Sequence, residues 1–417
     1  MTSITYTEIN RVASRTELAA FAPVQGMDSS PLGVATLPQD VITPSQSVEA
    51  SSSQGVDSSP QGVGGSLRGV GEWHAMVHIT DTMLPFAAQL EELEQAVDCL
   101  RKTLPADVVP RFARFFLSDA ATQSAAVQAA WAACGWTADC PLSLVQQPPL
   151  DRTKICLWVY LATPSQSPYV QSFAAGLTAE GANSEVQTRT IFLDYEERLQ
   201  REGLELERDC ARTWLFVRDV DVNYGGVVRG RREVFDRLGM TADTHYIAST
   251  GIQGQLADAE TLVMMDAYTV GGLQAEQKTY LIAPTHLNPT SEYGVTFERG
   301  VRLAYGDRAH LIISGTASID NRGEIVHPND IARQTHRMLE NVEVLLQEGG
   351  STMDEVVHQI VYLRDMADYD VVCGIMNERF PKMPKVFLLA PVCRPGWLVE
   401  MECVAISKQT DIRFPAL

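Results

Sequence analysis

The sequence predicts an α+β protein built from two tandem copies of one unit, each a mixed β-sheet backed by two helices, behind a low-complexity N-terminal tail. Three observations predict it. Residues 1–72 are rich in Ser, Gly, Pro and Gln. From Trp73 onward, short apolar strands alternate with amphipathic helical stripes. The order of those elements then recurs at a spacing of about 146 residues.

The N-terminal segment contains an imperfect duplication. Gln25-Gly-Met-Asp-Ser-Ser-Pro-Leu-Gly-Val34 returns as Gln54-Gly-Val-Asp-Ser-Ser-Pro-Gln-Gly-Val63. So little apolar surface cannot offset the entropy of ordering the chain, which predicts a flexible tail over 1–72.

Strands are expected at Arg114–Leu117, Ile155–Leu161, Thr213–Val217, Leu262–Tyr268, Ala309–Ile313 and Leu398–Val404. Asn329–Gly349 carries Ile331, Met338, Leu339, Val342, Leu345 and Leu346 at helical spacing. Asp330 suits the start of that helix and Gly349-Gly350 its end. The repeat joins Leu199-Gln-Arg-Glu-Gly203 and Arg212-Thr-Trp-Leu-Phe-Val-Arg-Asp219 to Leu346-Gln-Glu-Gly-Gly350 and Gln359-Ile-Val-Tyr-Leu-Arg-Asp365. A short helix follows each copy (Val227–Leu238 and Val371–Phe380), then an extended segment and a closing strand. The expected domains are 73–285 and 286–410.

Composition excludes several function classes. The 417 residues are 45% apolar and 20% charged, normal for a globular protein with two ordinary domains. Eight scattered cysteines without a CxxC pair argue against a disulfide framework and a zinc site, and no metal is expected. A net charge of −19 without a basic stripe argues against nucleic-acid binding. No apolar run is long enough to span a membrane, and the first residues lack a secretory pattern, so a cytoplasmic location is expected. Without a glycine-rich turn between strand and helix, no nucleotide cofactor is expected either.

Residues 286–410 resemble the Rid (YjgF-like) superfamily. The resemblance rests on Ile313-Ser-Gly-Thr-Ala-Ser-Ile-Asp-Asn-Arg-Gly-Glu-Ile325, on the helix, Gly-Gly turn and strand of Asp330–Asp365, and on Val399-Glu-Met-Glu402. It implies a homotrimer with pockets between subunits, and enamine or imine hydrolysis. Members with that activity hold the substrate carboxylate through an arginine, where this chain has Lys385 in Met383-Pro-Lys-Val-Phe387. Lysine lacks the bidentate fork.

The two-domain layout resembles the chorismatases. Arg212-Thr-Trp-Leu-Phe216, Tyr224-Gly-Gly-Val-Val-Arg-Gly-Arg231, Ala248-Ser-Thr-Gly-Ile-Gln-Gly254 and Val392-Cys-Arg-Pro-Gly-Trp-Leu-Val-Glu400 are similar to their motifs. The resemblance implies that Glu400 donates a proton when an enolpyruvyl ether is cleaved. It also implies that Tyr224 and the Thr250-Gly251 backbone face a small carboxylated metabolite. Where the family has an arginine, this chain has Cys373.

Strand alternation puts Glu400 and Glu402 on one face, where mutual repulsion and burial would keep an acid neutral near pH 7. Glu402 reads as structural. Arg394, on a Cys-Arg-Pro-Gly turn near Glu400, is either a carboxylate clamp or a surface arginine. Among Arg229, Arg231 and Arg232, Arg231 fits the resemblance and the other two read as solvated. Lys385 and Cys373 complete the candidate substrate contacts. Three function classes stay open: a chorismatase-like lyase or hydrolase, an imine deaminase if Lys385 points into the pocket, and a non-catalytic binding protein if the pocket lacks ionisable groups around Glu400.

Overall fold

Sheets whose two faces are both apolar need cover on both sides, and this chain supplies it with three units. The computed structural model describes residues 4–22, 70–137 and 139–417. Unit 1 runs β1 (Ile4–Asn10), β2 (Ser14–Phe21), β3 (Glu72–Ile79), α1 (Phe86–Thr103), β4 (Val109–Leu117), α2 (Ala120–Ala133), β5 (Leu142–Gln146) and β6 (Ile155–Ala162). Unit 2 runs β7 (Val170–Leu177), α3 (Ser184–Arg201), the single turn α4 (Leu206–Asp209), β8 (Cys210–Val217), α5 (Val220–Arg237), β9 (Ala248–Gln253) and β10 (Val263–Gly271). Unit 3 runs β11 (Lys278–Leu281), β12 (Gly300–Ala304), β13 (Ala309–Ala317), α6 (Ile331–Glu348), β14 (Val356–Leu363), α7 (Tyr369–Arg379), β15 (Lys385–Leu389) and β16 (Val399–Ser407).

The three sheets share one topology. Unit 1 is ordered β1-β2-β3-β6-β4-β5 and unit 3 β11-β12-β13-β16-β14-β15. Unit 2 is ordered β7-β10-β8-β9, the same plan without the two leading strands. In each unit one parallel pair (β4–β5, β8–β9, β14–β15) brackets an outer helix.

Two expectations are corrected. The single unit expected over 73–285 is two units, and residues 4–21 of the expected tail are the β1–β2 hairpin that opens unit 1. The repeat in the sequence lies between units 2 and 3, where α3 then β8 matches α6 then β14. Unit 1 keeps the topology with different residues. Within the hairpin β1 alternates between exposed and half-buried positions, while β2 is mostly buried and pairs along its length with β3. The duplicated segments at 25–34 and 54–63 lie outside the described residues.

The long helix falls where its apolar stripe placed it. The Asp330 side chain caps it by accepting from the Arg333 amide at 3.0 Å. Gly350 leaves it with φ of +75°, a left-handed conformation suited to glycine.

Each sheet buries one face against its own helices: Leu93, Val97 and Leu100 against Phe115 and Leu157 in unit 1, Phe192 and Phe235 against Leu215 and Met265 in unit 2. The opposite faces meet one another. Phe112, Phe116 and Trp158 of unit 1, Trp214, Phe216 and Tyr268 of unit 2, and Ile312, Ile360 and Tyr362 of unit 3 belong to one cluster. Buried ion pairs cross this shared core, Arg114 to Asp266 between units 1 and 2 and Arg212 to Glu402 between units 2 and 3. No described helix is long and apolar enough to cross a membrane.

Candidate active site

Glu400 lies on β16, between Ala317 of β13 and Tyr362 of β14. Alternation turns Glu400 and Glu402 toward the inter-unit core and Val399 and Met401 toward the helices. Glu400 closes one side of a pocket at the seam of units 2 and 3. Tyr224 of α5, Val295, Phe297, Arg299, Gly315, Cys393, Arg394 and Trp397 line the rest. Units 2 and 3 meet here because β9 packs on β13, and Ile252 bridges to Val392.

Two glycines make the geometry possible. A Cβ on Gly315 would lie 2.1 Å from Glu400 Oε1, so only glycine leaves the carboxyl its place. A Cβ on Gly251 would lie 2.7 Å from the Tyr224 ring. Thr250 Oγ1 accepts from the Gly315 amide at 2.8 Å, tying β9 to β13 beside the carboxyl.

Burial pushes the Glu400 carboxyl up, and the neighbouring Glu402 carboxylate pushes it further. Arg212 and Arg299 pull the other way, and the balance stands at about 8. Arg299 is buried, donates to the Asn288 backbone carbonyl at 3.0 Å and packs 5.5 Å from the Phe297 ring centre. Arg394, half-buried, lies over Trp397 at 5.5 Å. The pocket therefore sets an acid able to carry a proton at neutral pH beside two guanidiniums. Among the described residues no cluster of His, Cys, Asp or Glu could hold a metal ion.

A family model described as Endoribonuclease L-PSP matches residues 300–407. The 3-aminoacrylate deaminase RutC of Acinetobacter baylyi is 30% identical over 97 residues, 23% of this chain and 77% of that protein. The chain belongs to the Rid (YjgF-like) superfamily. A chorismatase crystal structure superposes with a TM-score of 0.56 at 19% identity, covering 71% of this chain and 93% of the other, which shows a common fold. RidA from the Antarctic bacterium Psychrobacter sp. PAMC 21119 matches at 18% identity and a TM-score of 0.27, over 30% of this chain and 98% of its own.

In this Rid-superfamily chain the expected residues separate into two groups. Glu400, Arg394 and Tyr224 line one pocket, and Thr250 and Gly251 of β9 stand behind its wall, Gly251 against the Tyr224 ring and Thr250 against Gly315. Arg231 stands behind it, buried, with Nε donating to Thr296 Oγ1 at 3.0 Å, so it holds the Val295–Phe297 wall and does not line the cavity. Arg229 and Arg232 are exposed.

Lys385 and Cys373 do not join this group, which corrects their expected place at the substrate. The Lys385 ammonium donates to the carbonyls of Phe380 and Met383 at 2.8 and 3.2 Å, and its backbone amide to Glu17 of β2 at 3.0 Å. Cys373, half-buried on α7, accepts from Asn377 Nδ2 at 3.1 Å. Both belong to the unit 3 edge that faces unit 1, because β15 is the outermost strand on that side.

Strand register shows why one seam differs from the others. Tyr362 pairs with Glu400, Phe216 with Met264 and Phe116 with Cys156, at corresponding points of the three sheets. Only unit 3 places a carboxyl there. Arg299 carries no periodic or motif signal in the sequence, and Gly315, within Ser314-Gly-Thr316, reads there as a fold marker alone. The partners of Glu402, Arg212 and Trp214, come from unit 2 and leave no trace near Glu402 in the sequence.

Proposed function

We propose that this chain is a chorismatase-like enzyme acting on a small carboxylated enolpyruvyl ether such as chorismate, with Glu400 as general acid. The observation that carries the reading is the Glu400 carboxyl itself, held up to about 8 in a pocket that also contains Arg299 and Arg394. Glu400 gives its proton to the terminal methylene carbon of the enol ether. The resulting oxocarbenium centre is captured by water, and the hemiketal collapses to pyruvate and the freed alcohol. Arg299 or Arg394 pairs with the substrate carboxylate in bidentate fashion, and the Thr250-Gly251 strand backs the substrate. The cavity has about 20 Å³ of free space, enough for one water. The net charge of −19 speaks against nucleic acid as the substrate. The enzyme works in the cytoplasm on a soluble metabolite, without a membrane partner.

A second reading is a Rid-type enamine or imine deaminase, favoured by the identity with a 3-aminoacrylate deaminase. It uses the same pocket chemistry, since an enamine is also protonated at carbon before water adds and ammonia leaves. Against it stands Lys385, whose ammonium is held by two carbonyls away from the pocket. Ionisable groups around Glu400 speak against a purely structural pocket.

Pyruvate release from chorismate, coupled to lactate dehydrogenase, tests the proposal, with an enamine substrate run in parallel. Turnover of chorismate that is lost in Glu400→Gln supports it. Inertness on chorismate with activity on the enamine transfers the reading to the deaminase, and inertness on both removes both.

A further inference from the structure

Glu400 shares its face of β16 with a second buried carboxyl. Glu402 pairs with Arg212 of β8 at 2.7 Å, and the two side chains are 3% and 1% exposed. Its other oxygen accepts from Trp214 Nε1 at 2.7 Å. Arg212 continues the chain of contacts, donating to Ser314 Oγ at 3.0 Å and to Thr250 Oγ1. Thr250 Oγ1 takes the Gly315 amide at 2.8 Å, and Gly315 is the residue whose missing side chain admits Glu400 Oε1. A ring of contacts thus runs from Glu402 through Arg212, Thr250 and Gly315 to Glu400, across the seam of units 2 and 3.

Charge gives this ring a chemical consequence. A guanidinium near a buried carboxyl favours its ionised form, and a second carboxylate nearby favours the protonated form. Glu402 occupies Arg212 and adds its own negative charge on the same strand face. We propose that the Arg212–Glu402 pair is the positioning device of this site: Glu402 keeps the Arg212 charge from Glu400, so that Glu400 retains its proton, while Arg212 holds β9 and β13 at the spacing the carboxyl needs. Burial is the largest influence on Glu400, with Glu402 raising and Arg212 lowering its proton affinity. The proposal rests on Glu400 being the proton donor.

A ¹³C NMR titration of protein labelled at glutamate Cδ tests it without any substrate, the Glu400→Gln variant assigning the signal. In the wild type Glu400 is expected to titrate at about 8. Glu402→Gln is expected to lower that midpoint by roughly one pH unit or more, and Arg212→Gln to raise it by a similar amount. Opposite shifts from the two halves of one pair are what a merely structural role would not produce. Melting curves on the same samples identify the folded variants. An unmoved midpoint in folded variants, or shifts of the same sign, overturns the proposal. Where neither variant folds, the wild type decides, since a proton found on Glu402 in place of Glu400 at pH 7 also overturns it. Opposite shifts in a protein inert on chorismate would leave the positioning role standing and remove the enolpyruvyl reaction, so the two failures are distinguishable.

Discussion

Gly315 and Glu400 are fitted to each other so closely that a methyl group on the first would lie 2.1 Å from a carboxyl oxygen of the second. Backbone on β13 and the buried carboxyl on β16 leave no slack, so Gly315→Ala must displace the acid. A misplacement of this order costs about 10²-fold in rate. Turnover is expected to fall by about that factor while the circular dichroism spectrum stays native.

Glu400→Gln keeps the shape of the side chain and removes the proton donor. Turnover is expected to fall at least about 10²-fold with substrate affinity retained. Because burial pushes the wild-type carboxyl up to about 8, activity that needs its protonated form is expected to decline as pH rises through 8. Stability follows the same sign. A carboxyl raised from 4.5 to about 8 contributes stability in full below 4.5, and that contribution is lost as pH rises toward 8. The melting temperature of Glu400→Gln is therefore expected to gain on the wild type between pH 5 and 8, measured by calorimetry across that range.

Arg114 and Asp266, both 0% exposed, join units 1 and 2 at 2.8 Å. The second oxygen of Asp266 takes the Gly176 amide at 2.8 Å, and the guanidinium lies 4.7 Å from the Trp214 ring centre. Asp266→Ala leaves a buried cation uncompensated and is expected to cost about 3–5 kcal/mol in denaturant unfolding. Replacing both partners by Met and Leu is expected to cost less than the single change.

The N-terminal hairpin is held to unit 3 through Glu17, which takes the Lys385 amide at 3.0 Å, and through Tyr6, whose hydroxyl donates to the Val356 carbonyl. Burial pushes the Glu17 carboxyl up, but His78, Arg15 and Lys385 more than offset this and hold it at about 2. A carboxyl lowered from 4.5 contributes stability above 4.5 that is lost as pH falls through about 2. Glu17→Gln is expected to speed hydrogen exchange in residues 4–21 at neutral pH, and the difference from wild type should shrink in acid.

The resemblance to Rid proteins implied a homotrimer, yet the inward faces of three like sheets already cover one another within this chain. With those faces buried, no copy is needed to cover them, and light scattering at micromolar concentration is expected to give a particle of 45.8 kDa. A threefold larger mass would restore the trimer.

The sequence by itself determined what depends on neighbours along the chain. Period-two alternation placed Glu400 and Glu402 on one face of β16, and the apolar stripe with Asp330 and Gly350 defined α6. Motif resemblance brought Tyr224, Thr250, Gly251, Arg394 and Glu400 together as candidates, and they share one seam. Only the tertiary structure decided how many units there are, which seam carries the acid, and that Lys385 faces unit 1. It also decided that Arg212 meets Glu402, 190 residues away in the chain. Alternation and capping arise from local sterics and hydrogen bonds, so they leave a periodic trace. The meeting of two sheets arises from burial summed over distant residues and leaves none.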